Sequence, residues 1–372
     1  MKRILSLCMA LLLFTSVWAS AEDTETEAPA APPETLTLES AIAYAAENHP
    51  QVLSARAALE KCNVAVEEAD SLYHQYQSVT SYSYDIFTVK KGLYLTQAQT
   101  GQVIAEKTLE QVTESVKLGV KSAFYSYLSA QERAALLTDS LNATLERVAQ
   151  NQTRYDNGLI TKMDLQSSQL SAKKAQTDLE AAQRNVDIAL MQLKNAVGIP
   201  VHNNLTVTGT LQTPDMPETS VDDAETLALQ NSMDILRAQQ QLVADEKNFE
   251  VVKLWYTPRT YKYMEAKAGA ESSAHAYDAA MEAARINVHK AYDTMKGAYD
   301  TYALAQETRD LKKQAYEISK TQYELGLATP LDVEDAWSAA QSAELDCFDA
   351  QYAVIMGAEQ YVFSYTVGSV MG

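Results

Sequence analysis

The chain has 372 residues, 49 acidic and 30 basic side chains, a formal charge of −19, and only 12 Gly and 9 Pro. That length would allow two or three domains, but so few breakers, with Ala, Gln, Glu, Leu and Lys abundant, describe long helices instead. No basic cluster is present to meet phosphates, which argues against nucleic acid as a partner and suits a self-repelling exterior or an acidic interior.

In chain order, Lys2 and Arg3, the apolar run from Ile4 to Val17 and Ala19-Ser20-Ala21 read as a secretory signal over residues 1–21. The apolar run is too short to span a bilayer. Cleavage after Ala21 would leave a charge of −21. Residues 22–35, acidic and Pro-rich, read as a disordered leader. Residues 36–199 form a first helical repeat, with helices expected over 37–71, 96–156 and 161–197. Residues 200–219 lie in a Pro- and Gly-containing non-helical connector. Residues 220–368 repeat the pattern, with helices over 220–254, 265–324 and 329–366. At 1.5 Å per residue the two longest helices would each measure roughly 90 Å.

The repeat is clearest at "YDNGLITKMDL", residues 155–165, and "YELGLATPLDV", residues 323–333. Tyr, Gly, Leu, Thr and Asp recur 168 positions apart. Gly158 and Gly326 end long helices, where a left-handed residue satisfies the last carbonyls. Thr161 and Thr329 suit the N-cap of the next helix, Pro330 its first position, and Asp164 and Asp332 complete capping boxes. Each copy is therefore a tight turn between antiparallel helices. Asp335 lies beside Asp332, whereas its counterpart in the first repeat is Ser167. Capping alone does not predict that asymmetry.

The register extends along the helices. Ala172, Ala175, Leu179, Ala182, Val186, Ala189 and Leu193 alternate at spacings of three and four, and positions 168 later carry Ala340, Ala343, Cys347, Ala350, Val354, Gly357 and Tyr361. Val116, Val120 and Tyr127 match Ala284, Val288 and Met295 in the same way. This alternation is the left-handed coiled-coil period. Cys347 on such a seam reads as a packed thiol. Cys62 and Cys347 could pair in an exported protein, yet two cysteines make no disulfide framework. The five His show no metal-binding spacing, and there is no nucleotide loop, nucleophile elbow or zinc signature. The chain is expected to be no enzyme, with no catalytic residue, metal or cofactor.

The two turn motifs, "LTLESAIAYAAENHP" near the start and "LKNAVGIP" after the third helix together resemble the outer-membrane efflux protein family, the TolC-like channels. The resemblance implies an all-α fold: long antiparallel coiled-coil helices in two internal repeats, forming a trimeric α-barrel. It implies an efflux or export duct in the outer membrane and periplasm, a homotrimer that docks a periplasmic adaptor and an inner-membrane pump. Gly158, Leu159, Gly326 and Leu327 would be the adaptor-docking tips. Asp332 and Asp335 would ring the aperture, and Tyr323 and Asp164 would hold it closed. Ala328 stands where well-known members carry Arg, so a closing salt bridge is not available there.

The family normally inserts a strand pair into each repeat. Residues 72–95 are just long enough for one hairpin, with Tyr82, Tyr84, Ile86 and Thr88 on one face. Residues 251–264, with Pro258 in the middle, are too short for two spanning strands. Their aromatics could form an interfacial belt or a packed cap. The β-barrel part is thus expected to be truncated or absent. The alternative to a duct is a structural coiled-coil envelope protein that has lost its pore.

Overall fold

The computed structural model of the protein describes residues 35–368. The signal and all of the leader but Thr35 lie outside the described residues. Nine helices account for most of what is described: α1 (Leu38–Asn48), α2 (Pro50–Gln77), α3 (Tyr84–Lys90), α4 (Leu93–Asp156), α5 (Lys162–Val197), α6 (Val221–Asn231), α7 (Met233–Trp255), α8 (Tyr261–Glu324) and α9 (Pro330–Thr366). Two short strands, β1 (Thr35–Leu36) and β2 (Thr206–Val207), pair in parallel and tie the start of the chain to the connector.

Helices α4 and α8 each contain 64 residues and begin and end 168 positions apart. Each is about 96 Å long. The equal lengths follow from the shared register, because a seam of fixed period can gain or lose residues only at its ends. Every seam position quoted above is buried or half-buried.

Where a single helix is expected over 37–71, the structure has two. Pro50 has no N–H to donate, so α2 starts afresh with Pro50 in its first position. His49 before it is extended, as a residue preceding proline prefers, and its ring Nδ1 accepts the amide of Gln51 at 3.3 Å. The second repeat breaks at the matching place without a proline. There the amide of Met233 donates to the carbonyl of Val367, 3.2 Å away at the far end of α9.

Residues 72–95, just long enough for one strand hairpin, form no strand, in keeping with a β-barrel part that is truncated or absent. They hold the end of α2, a short coil, α3 and the start of α4. Ser83 accepts the amide of Ile86, Asp85 lies in the first turn of α3 and Lys90 in its last. These are helix-end preferences, and they override the alternating apolar pattern. In the second repeat only residues 256–260 between α7 and α8 are non-helical, less than the irregular stretch 251–264 expected there. The two connections meet in an aromatic cap. Trp255 stacks on Tyr82 at 4.8 Å and lies within 5.0 Å of the Phe87 ring, while Tyr84 contacts Tyr256. Tyr82 and Tyr84 thus take protein partners rather than forming the outer face of a strand.

The helices lie in a row. α2 and α5 flank one side of α4; α7 and α9 flank the other; α8 lies beyond them. α2 and α5 share the length of α4, with Asn63 of α2 accepting from Gln102 near its start. A core gathers around Val120, Phe124 and Leu193 in the first repeat and around Val288, Met295 and Tyr361 in the second. At Gly357 an added Cβ would come within 3.2 Å of the Met295 backbone, so α9 approaches α8 as closely as the small-residue seam allows. Cys62 and Cys347 are both free thiols, and Cys347 is buried on the seam with Arg309 Nη1 3.7 Å from its sulfur.

Candidate functional site: the hairpin tips

Both tips are built by the same hydrogen bonds. Gly158 donates to the carbonyl of Tyr155 at 2.8 Å, and Leu159 to that of Arg154 at 2.8 Å. Gly326 donates to Tyr323 at 3.0 Å, and Leu327 to Gln322 at 2.8 Å. This closes a helix with a left-handed glycine, and both glycines have φ near +75°, at 74° and 76°. Nothing lies within 4 Å of a Cβ added at either position, so only backbone conformation demands glycine there.

The following helices start with reciprocal caps. One Asp164 oxygen accepts from the backbone N–H of Thr161 at 2.9 Å and from its hydroxyl at 2.7 Å, while that hydroxyl accepts the Asp164 amide. Asp332 and Thr329 repeat the arrangement at 2.7 Å for both bonds to the carboxylate. These hydrogen bonds hold both carboxyls below the usual value of 3.8. The side-chain bond contributes most at Asp164 and the backbone bond most at Asp332. Asp335 is exposed and makes no hydrogen bond or ion pair among the described residues. Of the two acids expected at an aperture, one is thus engaged in capping and the other is free to face a solute.

The tips are also apolar. Leu159 and Leu327 are 73% and 76% exposed, and Met163, Leu325 and Leu331 stand exposed beside them. Five large apolar side chains thus stand exposed at the tips of a strongly acidic chain. The sequence motif pointed to Leu159 and Leu327. It did not point to Met163, Leu325 or Leu331, although each stands beside a tip glycine or a cap.

Tyr323 and Asp164, the two residues expected to hold the tip closed, have separate partners. The Tyr323 hydroxyl is buried with no hydrogen-bond partner, and Asp164 turns to Thr161. Instead the Arg154 guanidinium lies 4.4 Å from the centre of the Tyr323 ring, joining the last turn of α4 to the last turn of α8. Two turns further along α4, Arg147 lies 4.7 Å from the Trp337 ring and 3.5 Å from the Glu334 carboxylate. Trp337 in turn packs on Tyr316. Farther from the tip, Arg133 pairs with Asp349 and Lys121 with Glu359, so α4 and α9 are joined by ions along their length. Arg154 has no counterpart, since Gln322 occupies the matching place in the second repeat.

Among the described residues no group of three His, Cys, Asp or Glu side chains converges to hold a metal, and no helix is long and apolar enough to cross a membrane.

A model described as outer membrane efflux protein matches residues 65–199 and 260–356, together more than half of the chain. Comparison of the sequence with curated proteins returns no match. Solved structures share the fold at low identity. A membrane protein from Pseudomonas aeruginosa is 16% identical, with a TM-score of 0.73 over 89% of this chain and 90% of that one. The Campylobacter jejuni CmeC outer membrane channel is 13% identical, with a TM-score of 0.74 over 88% of this chain and 85% of its own. VceC, an outer membrane protein of Vibrio cholerae, is 15% identical, with a TM-score of 0.72 over 89% and 96%. The chain belongs to the outer membrane efflux protein family, a family of transport ducts of the cell envelope rather than of enzymes.

Proposed function

We propose that three copies of this chain close into a helical export duct whose tips receive a periplasmic adaptor serving an inner-membrane pump. The observation that carries the reading is the pair of unpaired edges in the helix row. On α8, Leu304, Leu311 and Ile318 are exposed at seven-residue spacing. On α5, at the opposite edge, Met163 and Leu170 are exposed one heptad apart and Met191 three heptads further on, with Thr177 and Arg184 between them. A heptad stripe open to water is half of a coiled-coil seam. Each edge supplies what the other lacks, so a ring of copies covers both. In such a ring Gly158, Leu159, Gly326 and Leu327 present the apolar tips to an adaptor, and Asp332 and Asp335 line the mouth.

The test is the mass of the purified protein in native mass spectrometry. We expect trimers, and we expect Leu304→Lys with Leu311→Lys to yield monomers that keep their helical circular dichroism. A wild-type protein that stays monomeric at micromolar concentration would overturn the duct.

A second reading, a structural coiled-coil protein of the envelope without a pore, is favoured by one observation. The connection long enough for a strand hairpin holds α3 instead, and the shorter one is a five-residue turn. Loss of export in cells whose only copy carries Leu159→Ser and Leu327→Ser, with trimers intact, supports the duct. Unchanged export in those cells supports the structural reading.

A further inference from the structure

The end of α4 and α8 opposite the tips differs in chemistry from the rest of the chain. Residues 72–95 and 251–264 contain five cations, Lys90, Lys91, Lys253, Arg259 and Lys262, against the single acid Asp85. The local charge is +4 with His neutral, in a chain of −19. The same segments, about a tenth of the chain, hold a third of its aromatic residues. The fold brings the segments together through Trp255, which touches Tyr82, Tyr84 and Phe87. Burial does not account for this surplus. Tyr82 is 84% exposed and Tyr261 88% exposed, and Leu254 stands exposed beside them.

We propose that this aromatic, basic cap rests on the surface of an anionic phospholipid bilayer without crossing it. Tyr and Trp favour the boundary between headgroups and acyl chains, because a flat apolar ring carries one polar atom that stays wet. Cations within a Debye length of an anionic leaflet are attracted to it. The cations here are not consumed by the fold. Lys91 and Lys253 lie over Phe rings at 5.6 and 5.7 Å, Arg259 makes no ion pair among the described residues, and Lys262 makes one exposed pair with Glu265 that water screens. Only Lys90 is held, by the Val79 carbonyl at 2.6 Å. A second copy fits this end poorly, since it would bring positive charge to positive charge. Penetration is also unsupported, because every backbone group in the bilayer core must be paired and the exposed segments 78–83 and 256–260 are coil. The contact is therefore peripheral. It does not depend on whether the tips conduct.

The test is co-flotation of the full chain, recovered from the envelope of expressing cells, with vesicles of two compositions. One contains phosphatidylglycerol and phosphatidylethanolamine, the other phosphatidylcholine alone. We expect flotation with the anionic vesicles, weakened by salt, and little with the neutral ones. Lys91→Glu, Lys253→Glu, Arg259→Glu and Lys262→Glu combined should lower partitioning about a hundredfold. Tyr261→Ser with Leu254→Ser, both exposed and outside the Trp255 ring cluster, should lower it independently. Leu159→Ser with Leu327→Ser, at the other end of the long helices, should leave it unchanged. The proposal is overturned if the protein does not float, if it floats equally with both vesicles, if the charge-reversed protein floats like the wild type while folded, or if the tip variant is the one that detaches. Capture of an acidic protein by the cap, with no vesicle binding, also overturns it.

Discussion

Asp332 and Asp335 sit one turn apart, yet the fold treats them differently. The Asp332 carboxylate accepts the amide and hydroxyl of Thr329 in a cap, and Asp335 has no partner among the described residues. If three copies surround a mouth, Asp335 contributes the three carboxylates free to meet a solute. Asp335→Asn keeps the size of the side chain and removes those charges. We expect weaker binding of divalent cations to the purified trimer, with stability changed by no more than about 0.5 kcal/mol. Unchanged cation binding would return Asp335 to an ordinary place near a helix start. At Tyr323 the contrast is between ring and hydroxyl. A cation over an aromatic face is worth about 1 kcal/mol when partly shielded from water, so Arg154→Ala should raise hydrogen exchange at Leu159 and Leu327 about fivefold. Tyr323→Phe should leave exchange unchanged or slow it, because the hydroxyl it removes is buried without a partner. A faster-exchanging Tyr323→Phe would instead assign the latch to the hydroxyl.

The caps at the starts of α5 and α9 carry the pH dependence of the tips. Thr161 and Thr329 hold the carboxyls of Asp164 and Asp332 below 3.8. A lowered value in the folded state means that the cap stabilises the helix above the unfolded value, and that this contribution fades as pH falls through the lower one. Amide protection at 161–165, at 329 and at 331–333 should therefore hold from pH 7 to about 4.5 and decline only below about 3.8. Carboxyl carbon shifts followed by NMR in Thr161→Ala and Thr329→Ala should show both aspartates returning toward 3.8. The tips were legible in the sequence because Gly, Thr and Asp act within a few residues of themselves. The long helices were legible because their period is 168 residues deep in register. Residues 72–95 were ambiguous, because Tyr82, Tyr84, Ile86 and Thr88 alternate like a strand, while Ser83, Asp85 and Lys90 in the same stretch fit the ends of a helix. Arg154 over Tyr323 was not legible at all. Its two members are 169 positions apart, and no local pattern links them.

For the whole molecule, the two repeats agree where α4 and α8 run and disagree at the end where those helices begin. α2 is five residues longer than α7, and α3 has no counterpart. Both differences lie at the aromatic cap. From there to the tips, α4 and α8 have equal length, and α5 and α9 start in equal register. In a ring of three copies this separates two symmetries along one axis. The rim made by the tips offers six hairpins of nearly the same height and the same backbone, three with Arg154 and three with Gln322 in the last helical turn. A partner of sixfold symmetry meets each of them in almost the same way. At the opposite rim the inserted residues of the first repeat alternate with the short turn of the second, and only threefold symmetry survives. A partner that fits one end of the ring is thus mismatched by symmetry to the other, so the ends are distinguished before any side chain is read.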